Sequence, residues 1–359
     1  MSDRATNEAQ ALGSAAEAMP LVSVVIPAYN SSDSIAAAVE SVLRQTFSSY
    51  EVIVINDGSP DTAALEAALQ PYLSRIRYFR HENRGPSTAR NFGIREARGR
   101  YVALLDSDDV WLPEHLSRQT EHLTRDAALG LVYSNNMQFR DGEAIGKAFD
   151  TVPQTGPVTL DSLLAERCTV NTSSVVVLRQ AVLDAGLFDE TFRRCEDFDL
   201  WLRLASRGVR MSYDPEVQVL HRLGHGLSSD FEGMKRARAE VYRRAAVNLS
   251  LTETQQSIVA AKLKAIEVQI EVDAAKDHLQ AGRFGEARFA IRRANSMSPS
   301  LKLRLVAAGL RFCPLLLRWS YEGYVQWLRW FRRTRRSAMR RSGGEPSGFD
   351  IPMRARPVP

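Results

Sequence analysis

The chain has 359 residues, of which 44% are hydrophobic and 25% charged, and its formal net charge is +5. This is the composition of a folded protein with one large domain or two smaller ones. The three cysteines have no CxxC or Cys/His spacing, which argues against a disulfide framework or a zinc site. We therefore expect a protein of a reducing cytoplasm.

The charge is concentrated at one end of the chain. Residues 301–359 hold 13 Lys and Arg against 3 Asp and Glu, which leaves 34 against 39 for residues 1–300. Residues 1–19 lack the basic and apolar regions of a signal peptide, and we predict a disordered lead there. No run approaches the roughly 18 apolar residues of a spanning helix.

Apolar runs alternate with helical patterns over the first third of the chain. Four runs predict strands, the first of them rich in β-branched residues: Leu21–Asn30, Tyr50–Pro60, Arg75–His81 and Arg100–Asp106. Helical spacing of apolar residues follows the first three: Ser31–Thr46, Asp61–Leu73 and Ser87–Gly99. This alternation predicts an α/β fold with a mostly parallel sheet covered by helices on both faces.

Polar clusters follow three of these strands, at Tyr29–Asn30, Asn56–Ser59 and Asp106–Asp109. Because the carboxyl ends of parallel strands meet at one edge of a sheet, the three clusters predict a ligand site there.

The alternation loosens after Asp109. Leu129–Asn135 and Thr172–Arg179 are strand-like, Gly142–Pro157 has the composition of a mobile loop, and Glu196–Gly208 is a helix ended by glycine. The pattern is helical from Phe231. We predict a catalytic domain at 20–230, a helical region at 231–300, a basic tail at 301–342 and a disordered end at 343–359.

The stretch "LLDSDD" brings several carboxylates to the end of a buried strand. Asp106 and Asp108 have the spacing to share a divalent ion, and hard oxygen ligands favour Mg²⁺ or Mn²⁺. The alternative is a solvated turn in which an aspartate caps the helix that starts near Pro113.

Four segments in order resemble the family 2 glycosyltransferases, which have the GT-A nucleotide-sugar fold. They are "VSVVIPAYN", "VIVINDGSPD", "ENRGPSTARNFGIREARGRYVALLDSDD" and "CEDFDLWLRL", and they span about Leu21–Ser228. Each motif alone is weak, but their combination is specific.

The resemblance implies a nucleotide site at the sheet edge. Asp57 takes the position of the family's base-contacting aspartate, Tyr29 stacks beside the base, and Pro27 and Asn30 line the same pocket. An Asx turn in "NDGSPD" is a second role for Asp57, compatible with the first.

Arg90, in "STARN", matches the family's A-R-N-x-G segment, and with Asp106 it completes the predicted nucleotide-binding set. Its guanidinium lies near the nucleotide or a carboxylate of the site, or it forms a structural ion pair inside the fold.

The resemblance also implies a catalytic base. Asp197, in "CEDFD", takes the position of the carboxylate that removes a proton from the acceptor hydroxyl in an inverting displacement. Glu196 is then placed beside the acceptor, with Trp201 as a sugar platform or, alternatively, a core residue. Capping of the helix by the two carboxylates is the plainer explanation.

A closing segment, "HRLGHGLSS", is similar to the family's metal- or diphosphate-approaching His-x-x-Ser. His225 fits that spacing and is the predicted third metal ligand, with His221 as its rival. An exposed loop histidine is the other interpretation.

The region after Phe231 contains half a tetratricopeptide-like unit at His278–Ser300, interpreted as a helical cap. In the tail, Arg304, Arg311 and Arg318 recur every seven residues, and an apolar face gathers Leu303, Val306, Leu310 and Leu317. Tryptophans and further arginines follow. This composition predicts an anionic membrane surface as partner, ahead of nucleic acid, which we do not expect; packing on the protein's own helices is the alternative.

We therefore predict a metal-dependent inverting glycosyltransferase at the cytoplasmic face of a bacterial membrane. It moves a sugar from a nucleotide sugar, with uridine as the default base and guanine or thymine as alternatives, to a glycan or lipid-linked acceptor in envelope polysaccharide synthesis. A non-catalytic nucleotide-sugar-binding or scaffold protein is one alternative. A nucleotidyltransferase is another, but it leaves Glu196 and Asp197 unexplained.

Overall fold

The structure is a computed structural model, and it describes residues 19–140, 143–152, 154–223, 230–323 and 326. The chain divides into two compact units, the second of which begins at Asp230. The disordered ends predicted at 1–19 and 343–359 lie outside the described residues, apart from Met19 itself.

The first part of the chain forms the predicted strands and helices. In chain order these are β1 (Val22–Ala28), α1 (Ile35–Leu43), β2 (Tyr50–Asp57), α2 (Thr62–Leu69), β3 (Arg77–His81), α3 (Pro86–Glu96) and β4 (Tyr101–Leu104). The strands pair in parallel in the order β3-β2-β1-β4. Ala28 is level with Asn56 and Asn56 with Arg80, so the polar residues that follow these strands lie at one edge.

Both faces of this parallel part are covered by helices. Val24 and Ile26 of β1 belong to a core that also contains the buried residues of α1 and α2. Val25 points the other way, toward Gly93 of α3, where a Cβ atom would lie 2.5 Å from the Val25 side chain. Because successive side chains of a strand alternate between faces, a strand covered on both sides is largely apolar, as β1 is apart from Ser23.

The rest of the first unit extends the sheet with antiparallel pairs and with one parallel pair, β6 with β9. Its elements are β5 (Val110–Trp111), α4 (His115–Arg125), β6 (Leu129–Arg140), β7 (Glu143–Lys147), α5 (Ala148–Thr151), α6 (Leu160–Leu164), β8 (Val176–Leu178), α7 (Arg179–Asp184), α8 (Glu196–Ser206) and β9 (Arg210–Arg222). The sheet order is β3-β2-β1-β4-β8-β6-β9-β5, with β7 on β6. β8 runs antiparallel to both β4 and β6, so the sheet is mixed beyond β4.

The prediction of a mobile loop at Gly142–Pro157 is wrong for most of its length. Residues 143–147 form β7, which pairs with β6 in a hairpin, and α5 follows directly. The side chains of β7 are largely exposed, so this edge strand lacks the apolar alternation that would have identified it.

The second unit contains helices α9 (Phe231–Asn248), α10 (Glu253–Gln280), α11 (Phe284–Met297) and α12 (Leu301–Phe312), followed by helical residues 314–323. In the predicted half-repeat, Gly282 adopts a positive φ of 73° between α10 and α11, and Ala287 and Ala294 are fully buried. None of the helices among the residues described is both long and apolar enough to cross a bilayer.

The apolar face that the sequence assigned to a membrane packs instead on the protein itself. Leu310 is buried, and Leu303, Val306 and Leu317 pack against the same cluster, which includes Ala287 and Ile291 of α11. These four residues therefore pack within the protein. Trp319, one of the aromatic residues whose packing on the protein was the alternative, is instead 73% exposed.

Candidate functional site

Three of the sequence motifs meet at the buried side chain of Arg90. This residue lies on α3 and is 5% exposed. Its guanidinium donates to a carboxylate oxygen of Asp106 at 2.6 Å and to one of Glu196 at 2.8 Å, and it lies 5.5 Å from the ring centre of Phe188. Both interpretations of Arg90 therefore apply. It forms ion pairs inside the fold, and its two partners are carboxylates of the predicted site.

The charges of this cluster stabilise one another. Burial lowers the pKa of Arg90, but the negative charges of Asp106 and Glu196 outweigh it and raise the pKa. Burial raises the pKa of Glu196, while Arg90 acts in the opposite direction. A buried charge is costly unless it is paired and hydrogen-bonded, and this arrangement meets both conditions.

Glu196 is not free to contact an acceptor as predicted. The residue is 9% exposed, and Arg90 occupies its carboxylate. Its role in this geometry is to hold Arg90 in place.

Asp197 is the second residue of the helix that Glu196 begins, and it is more exposed to solvent than Glu196. It is half-buried, and one carboxylate oxygen accepts a hydrogen bond from the Thr172 hydroxyl at 3.0 Å. Cys195, which directly precedes the helix, adopts a left-handed backbone conformation with φ 58°. Such a conformation is strained for a residue with a side chain and is concentrated at functional sites. Asp197 therefore combines a fixed position with a partly exposed carboxylate.

Sequence reasoning missed the turn that supports both acidic motifs. The Thr172 hydroxyl binds Asp197, and the neighbouring Ser173 hydroxyl accepts a hydrogen bond from the backbone N–H of Asp106 at 3.1 Å. Both residues belong to a 3₁₀ turn, Thr172–Ser174, directly before β8. The signal was the polar run "NTSS" at the start of a predicted strand.

The carboxylates of the "LLDSDD" loop have different environments. Asp106 binds Arg90, whereas Asp109 is fully buried and both of its oxygens lie 2.9–3.0 Å from Nδ1 of His221. The backbone N–H of Arg222 also donates to Asp109 at 2.9 Å. Asp109 therefore fastens the loop to the end of β9 and is a structural residue.

The third carboxylate of the loop, Asp108, lies close to the negative charges of the other two. Burial, together with the charges of Asp109 and Asp106, raises the pKa of Asp108 to about 7. A divalent cation would relieve this repulsion, and carboxylate oxygens are the ligands that Mg²⁺ and Mn²⁺ prefer. Asp106 and Asp108 therefore fit a metal.

These two carboxylates would not complete a metal site by themselves. Across the residues that the structure describes, no three His, Cys, Asp or Glu side chains are grouped to hold a metal ion. The predicted third ligand, His225, lies outside the described residues. Its rival, His221, is bonded through Nδ1 to Asp109. The other ligands of a cation here would have to come from the diphosphate and water.

The ion pair between Asp109 and His221 should make the stability of the protein depend on pH. Burial lowers the pKa of His221, but Asp109 and the other loop carboxylates outweigh it and raise the pKa from 6.5 to about 9. The stabilisation from a raised histidine pKa is fully present below pH 6.5 and is lost as the pH rises through 9. We expect the wild-type protein to lose about 3 kcal/mol of its unfolding free energy over this interval.

The measurement is urea unfolding in metal-free buffer across that pH interval, with Asp109→Asn for comparison. The variant should be less stable than the wild type at low pH, and its unfolding free energy should change little across the interval. Parallel wild-type and variant profiles would contradict the assigned ion pair.

Four of the predicted nucleotide residues, Pro27, Tyr29, Asn30 and Asp57, lie at the ends of β1 and β2. Tyr29 is 51% exposed, and Asn30, with a left-handed φ of 50°, donates its backbone N–H to the Ser59 hydroxyl at 2.6 Å. Pro27 is half-buried in β1. The exposed phenol ring and the fixed loop form an open surface at the sheet edge.

Asp57 is almost fully buried, at 3% exposure, and its carboxylate organises the loop after β3. Its two oxygens accept hydrogen bonds from the backbone N–H groups of Arg84 and Gly85, each at 2.9 Å, and Nδ1 of His81 lies at 3.3 Å. An open depression of about 480 Å³ lies beside it, lined by Gly58, Ser59, Arg80, His81, Glu82 and Asn83. A Cβ atom at Gly58 would lie 2.4 Å from the backbone nitrogen of Asn83, so glycine permits this close approach.

The Asx turn of "NDGSPD" forms on Asn56 and not on Asp57. The Asn56 side-chain oxygen accepts from the backbone N–H of Ser59 at 2.9 Å, and its amide donates to Thr62 and Tyr78. The turn therefore leaves Asp57 free to bind the loop after β3.

Trp201 is a core residue and not a sugar platform. It is 1% exposed, and its ring packs edge-on against Phe188 at 6.4 Å between ring centres. A ring that stacks on an acceptor sugar must present a face to solvent, and Trp201 presents none.

Comparison with known proteins agrees with this arrangement. The family model described as glycosyl transferase family 2 matches residues 23–186. The chain is 32% identical over 209 residues to the Escherichia coli UDP-Glc:α-D-GlcNAc-diphosphoundecaprenol β-1,3-glucosyltransferase WfaP, a match that covers 58% of this chain and 79% of that protein. An uncharacterised glycosyltransferase of Rickettsia bellii is 32% identical over 193 residues, or 52% of this chain, but the match spans only 27% of its length.

Solved structures show the same fold at low identity. Staphylococcus aureus TarS 1–349 in complex with UDP aligns with a TM-score of 0.56 and 20% identity, covering 85% of this chain and 91% of that one. The Pyrobaculum calidifontis mannosyltransferase PcManGT, in complex with GDP-Man and Mn²⁺, aligns with a TM-score of 0.55 and 18% identity, covering 87% and 84%. The predicted GT-A fold followed by a helical region is confirmed. The sequence matches establish that the chain belongs to glycosyl transferase family 2.

Proposed function

We propose that this protein transfers a sugar from a nucleoside diphosphate sugar to a hydroxyl of a lipid-linked glycan, with inversion at the anomeric carbon, in the synthesis of an envelope polysaccharide. The observation that carries this proposal is the bridge from Arg90 to both Asp106 and Glu196. It joins the "LLDSDD" loop to the start of α8, which also carries Asp197. A donor site and a candidate base are thus held in one cluster.

In this proposal Asp197 is the general base. Its carboxylate takes the proton of the acceptor hydroxyl as that oxygen forms a bond with the anomeric carbon. The bond between that carbon and the diphosphate oxygen breaks, and the nucleoside diphosphate leaves with the electron pair. Thr172 holds one carboxylate oxygen of Asp197, which fixes the direction from which the proton is removed.

Asp106 and Asp108 are the proposed holders of Mg²⁺ or Mn²⁺. A divalent cation there would neutralise the negative charge that develops on the diphosphate. The raised pKa of Asp108 supports this assignment, because the loop holds more negative charge than its own cations neutralise.

The base of the nucleotide is assigned to the edge formed by Pro27, Tyr29 and Asn30, and Asp57 supports this edge by holding the loop at Arg84 and Gly85. Uridine is the proposed base, because WfaP is a UDP-Glc glucosyltransferase and TarS was solved in complex with UDP. The acceptor proposal has the same kind of support, since the name of WfaP states a diphosphoundecaprenol acceptor.

Donor binding can be tested by thermal unfolding with UDP-, GDP- and dTDP-sugars, each with and without Mn²⁺. We expect stabilisation by the UDP-sugars with metal and its loss in Asp108→Ala, with a gain of about 3 kcal/mol when the donor is at 100 times its dissociation constant. The control is Asp184→Ala, an exposed aspartate on α7 that hydrogen-bonds with Gln180.

Equal stabilisation without metal, or in Asp108→Ala, would contradict the metal assignment. Product analysis with a lipid-linked acceptor then separates transfer from binding alone, because a non-catalytic sugar-binding protein would bind the donor and release no nucleoside diphosphate.

A further inference from the structure

The last described helices of the second unit have two apolar faces. One is the buried face formed by Leu303, Val306, Leu310 and Leu317, which packs in the cluster with α11. The other points to solvent and consists of six large side chains, which we call the outer apolar face: Leu301, Leu305, Phe312, Leu315, Leu316 and Trp319. Each of the six is between 62% and 73% exposed.

The outer apolar face is a stripe made of two helical segments. Leu301, Leu305 and Phe312 of α12 are separated by four and seven residues, and Leu316 and Trp319 of the helical residues that follow by three, the spacings that place side chains on one side of a helix. Cys313 separates the two segments with a non-helical φ of −139° and ψ of 54°. Its N–H donates to Gly309 at 2.8 Å, and its carbonyl accepts from the N–H of Leu317 at 3.1 Å. Large exposed apolar residues gathered in this way mark an interaction site.

Positive charge accompanies this stripe. Residues 301–312 contain no acidic residue, and Glu322, the only acid in 301–323, is bonded to Arg318 at 2.7 Å. Arg304 and Arg311 of α12 and Arg288 and Arg292 of α11 form no ion pair within the part of the chain that the structure describes.

Three of these arginines, Arg288, Arg292 and Arg311, are also close together. Local desolvation and then the positive charges of Arg292 and Arg311 lower the pKa of Arg288. The guanidinium of Arg311 lies 5.2 Å from the ring centre of Phe312, a member of the stripe. The surface thus places unneutralised cations directly beside large apolar groups.

We propose that the outer apolar face docks on an anionic phospholipid surface, with the stripe in the acyl boundary and Arg288, Arg292, Arg304 and Arg311 on the phosphate groups. Lipid matches both features, because it offers apolar depth and negative charge in one layer. A symmetric second copy would bring like charges together, and nucleic acid would leave the stripe exposed. Docking itself is independent of the proposed reaction, although its use in reaching a lipid-linked acceptor rests on it.

The test is co-sedimentation of the full chain with vesicles of equal parts phosphatidylglycerol and phosphatidylcholine, and with vesicles of phosphatidylcholine alone. We expect binding to the anionic vesicles, and a loss of roughly tenfold or more in Phe312→Ser/Trp319→Ser. The matched control is Phe289→Ser, since Phe289 is 65% exposed on α11 and lies outside the stripe. Because all three aromatic residues are exposed, the variants should unfold at the wild-type temperature.

A second variant tests the charges. Arg288→Gln/Arg292→Gln/Arg311→Gln should reduce binding to the anionic vesicles and remove the preference for them over the neutral ones. Unchanged vesicle binding in the aromatic variant would overturn the proposal. So would a change in its oligomeric state by light scattering without a change in vesicle binding, which would identify a second copy as the occupant.

The vesicle-binding and transfer assays test the two proposals independently. A protein that binds anionic vesicles but transfers no sugar contradicts the proposed reaction only. A protein that transfers sugar to a soluble acceptor and ignores the vesicles contradicts the docking proposal only.

Discussion

Replacing Asp197 by asparagine should lower the rate of sugar transfer by about two to four orders of magnitude and leave donor affinity near the wild-type value. Asparagine has the same shape and can still accept the hydrogen bond from Thr172, but its amide cannot take a proton from the acceptor. The measurements are kcat with a lipid-linked or soluble acceptor and the dissociation constant of the donor by calorimetry.

Asp184→Asn is the control for this experiment, since it makes the same chemical change at an exposed aspartate. Surviving transfer with weakened donor binding in Asp197→Asn would show that Asp197 serves the nucleotide and that the base is another residue.

Replacing Arg90 by methionine should have the largest effect on folding. The change removes the buried guanidinium that Asp106 and Glu196 share. Breaking a buried ion pair costs about 3–5 kcal/mol of unfolding free energy. Urea unfolding measures this loss, and metal-dependent donor binding should fall with it because Asp106 is no longer held.

Arg77 provides a matched control. It also bridges two carboxylates, Glu51 at 2.9 Å and Glu96 at 3.1 Å, but its side chain is 26% exposed and it contacts none of the predicted site residues. Arg77→Met should cost less than Arg90→Met and leave donor binding intact. Equal losses from the two changes would contradict a special role for the buried bridge.

A double-mutant cycle isolates the Arg90–Glu196 interaction. Glu196→Gln removes the charge that Arg90 would leave unpaired, so the double variant should be more stable than the sum of the single losses indicates. Strict additivity would mean that the two side chains do not stabilise each other.

The parallel half of the fold could be predicted because its signals are local. β1 and β2 are short apolar runs followed by helical patterns, and each pattern can be recognised without any distant residue. The same is true of α8, which begins at the predicted Glu196 and ends shortly before Gly208.

β9 could not be recognised in this way. Its 13 residues include Asp214, Pro215 and Gln218, and its pairing with β6 is interrupted by register shifts. Its extended conformation follows from pairing with β6 on one side and β5 on the other, and not from its own composition.

The site shows the same division between local and distant information. The motifs predicted which acidic residues gather at the sheet edge, but not the partner of each one. Arg90 and Glu196 are 106 positions apart, and Asp109 and His221 are 112 apart. The Asx turn expected at Asp57 forms on its neighbour Asn56, because the alternation of side chains along the strand decides which of the two faces the turn.

The two partners of Arg90 also have a consequence for how the chain folds. Asp106 is only 16 positions away, but Glu196 is supplied by a helix that is synthesised much later. Until that helix docks, the guanidinium in the interior has one counter-charge where the native state has two, and an isolated parallel half carries an electrostatic penalty. We therefore expect the first unit to fold as one cooperative block, without a stable intermediate made of β1–β4 alone.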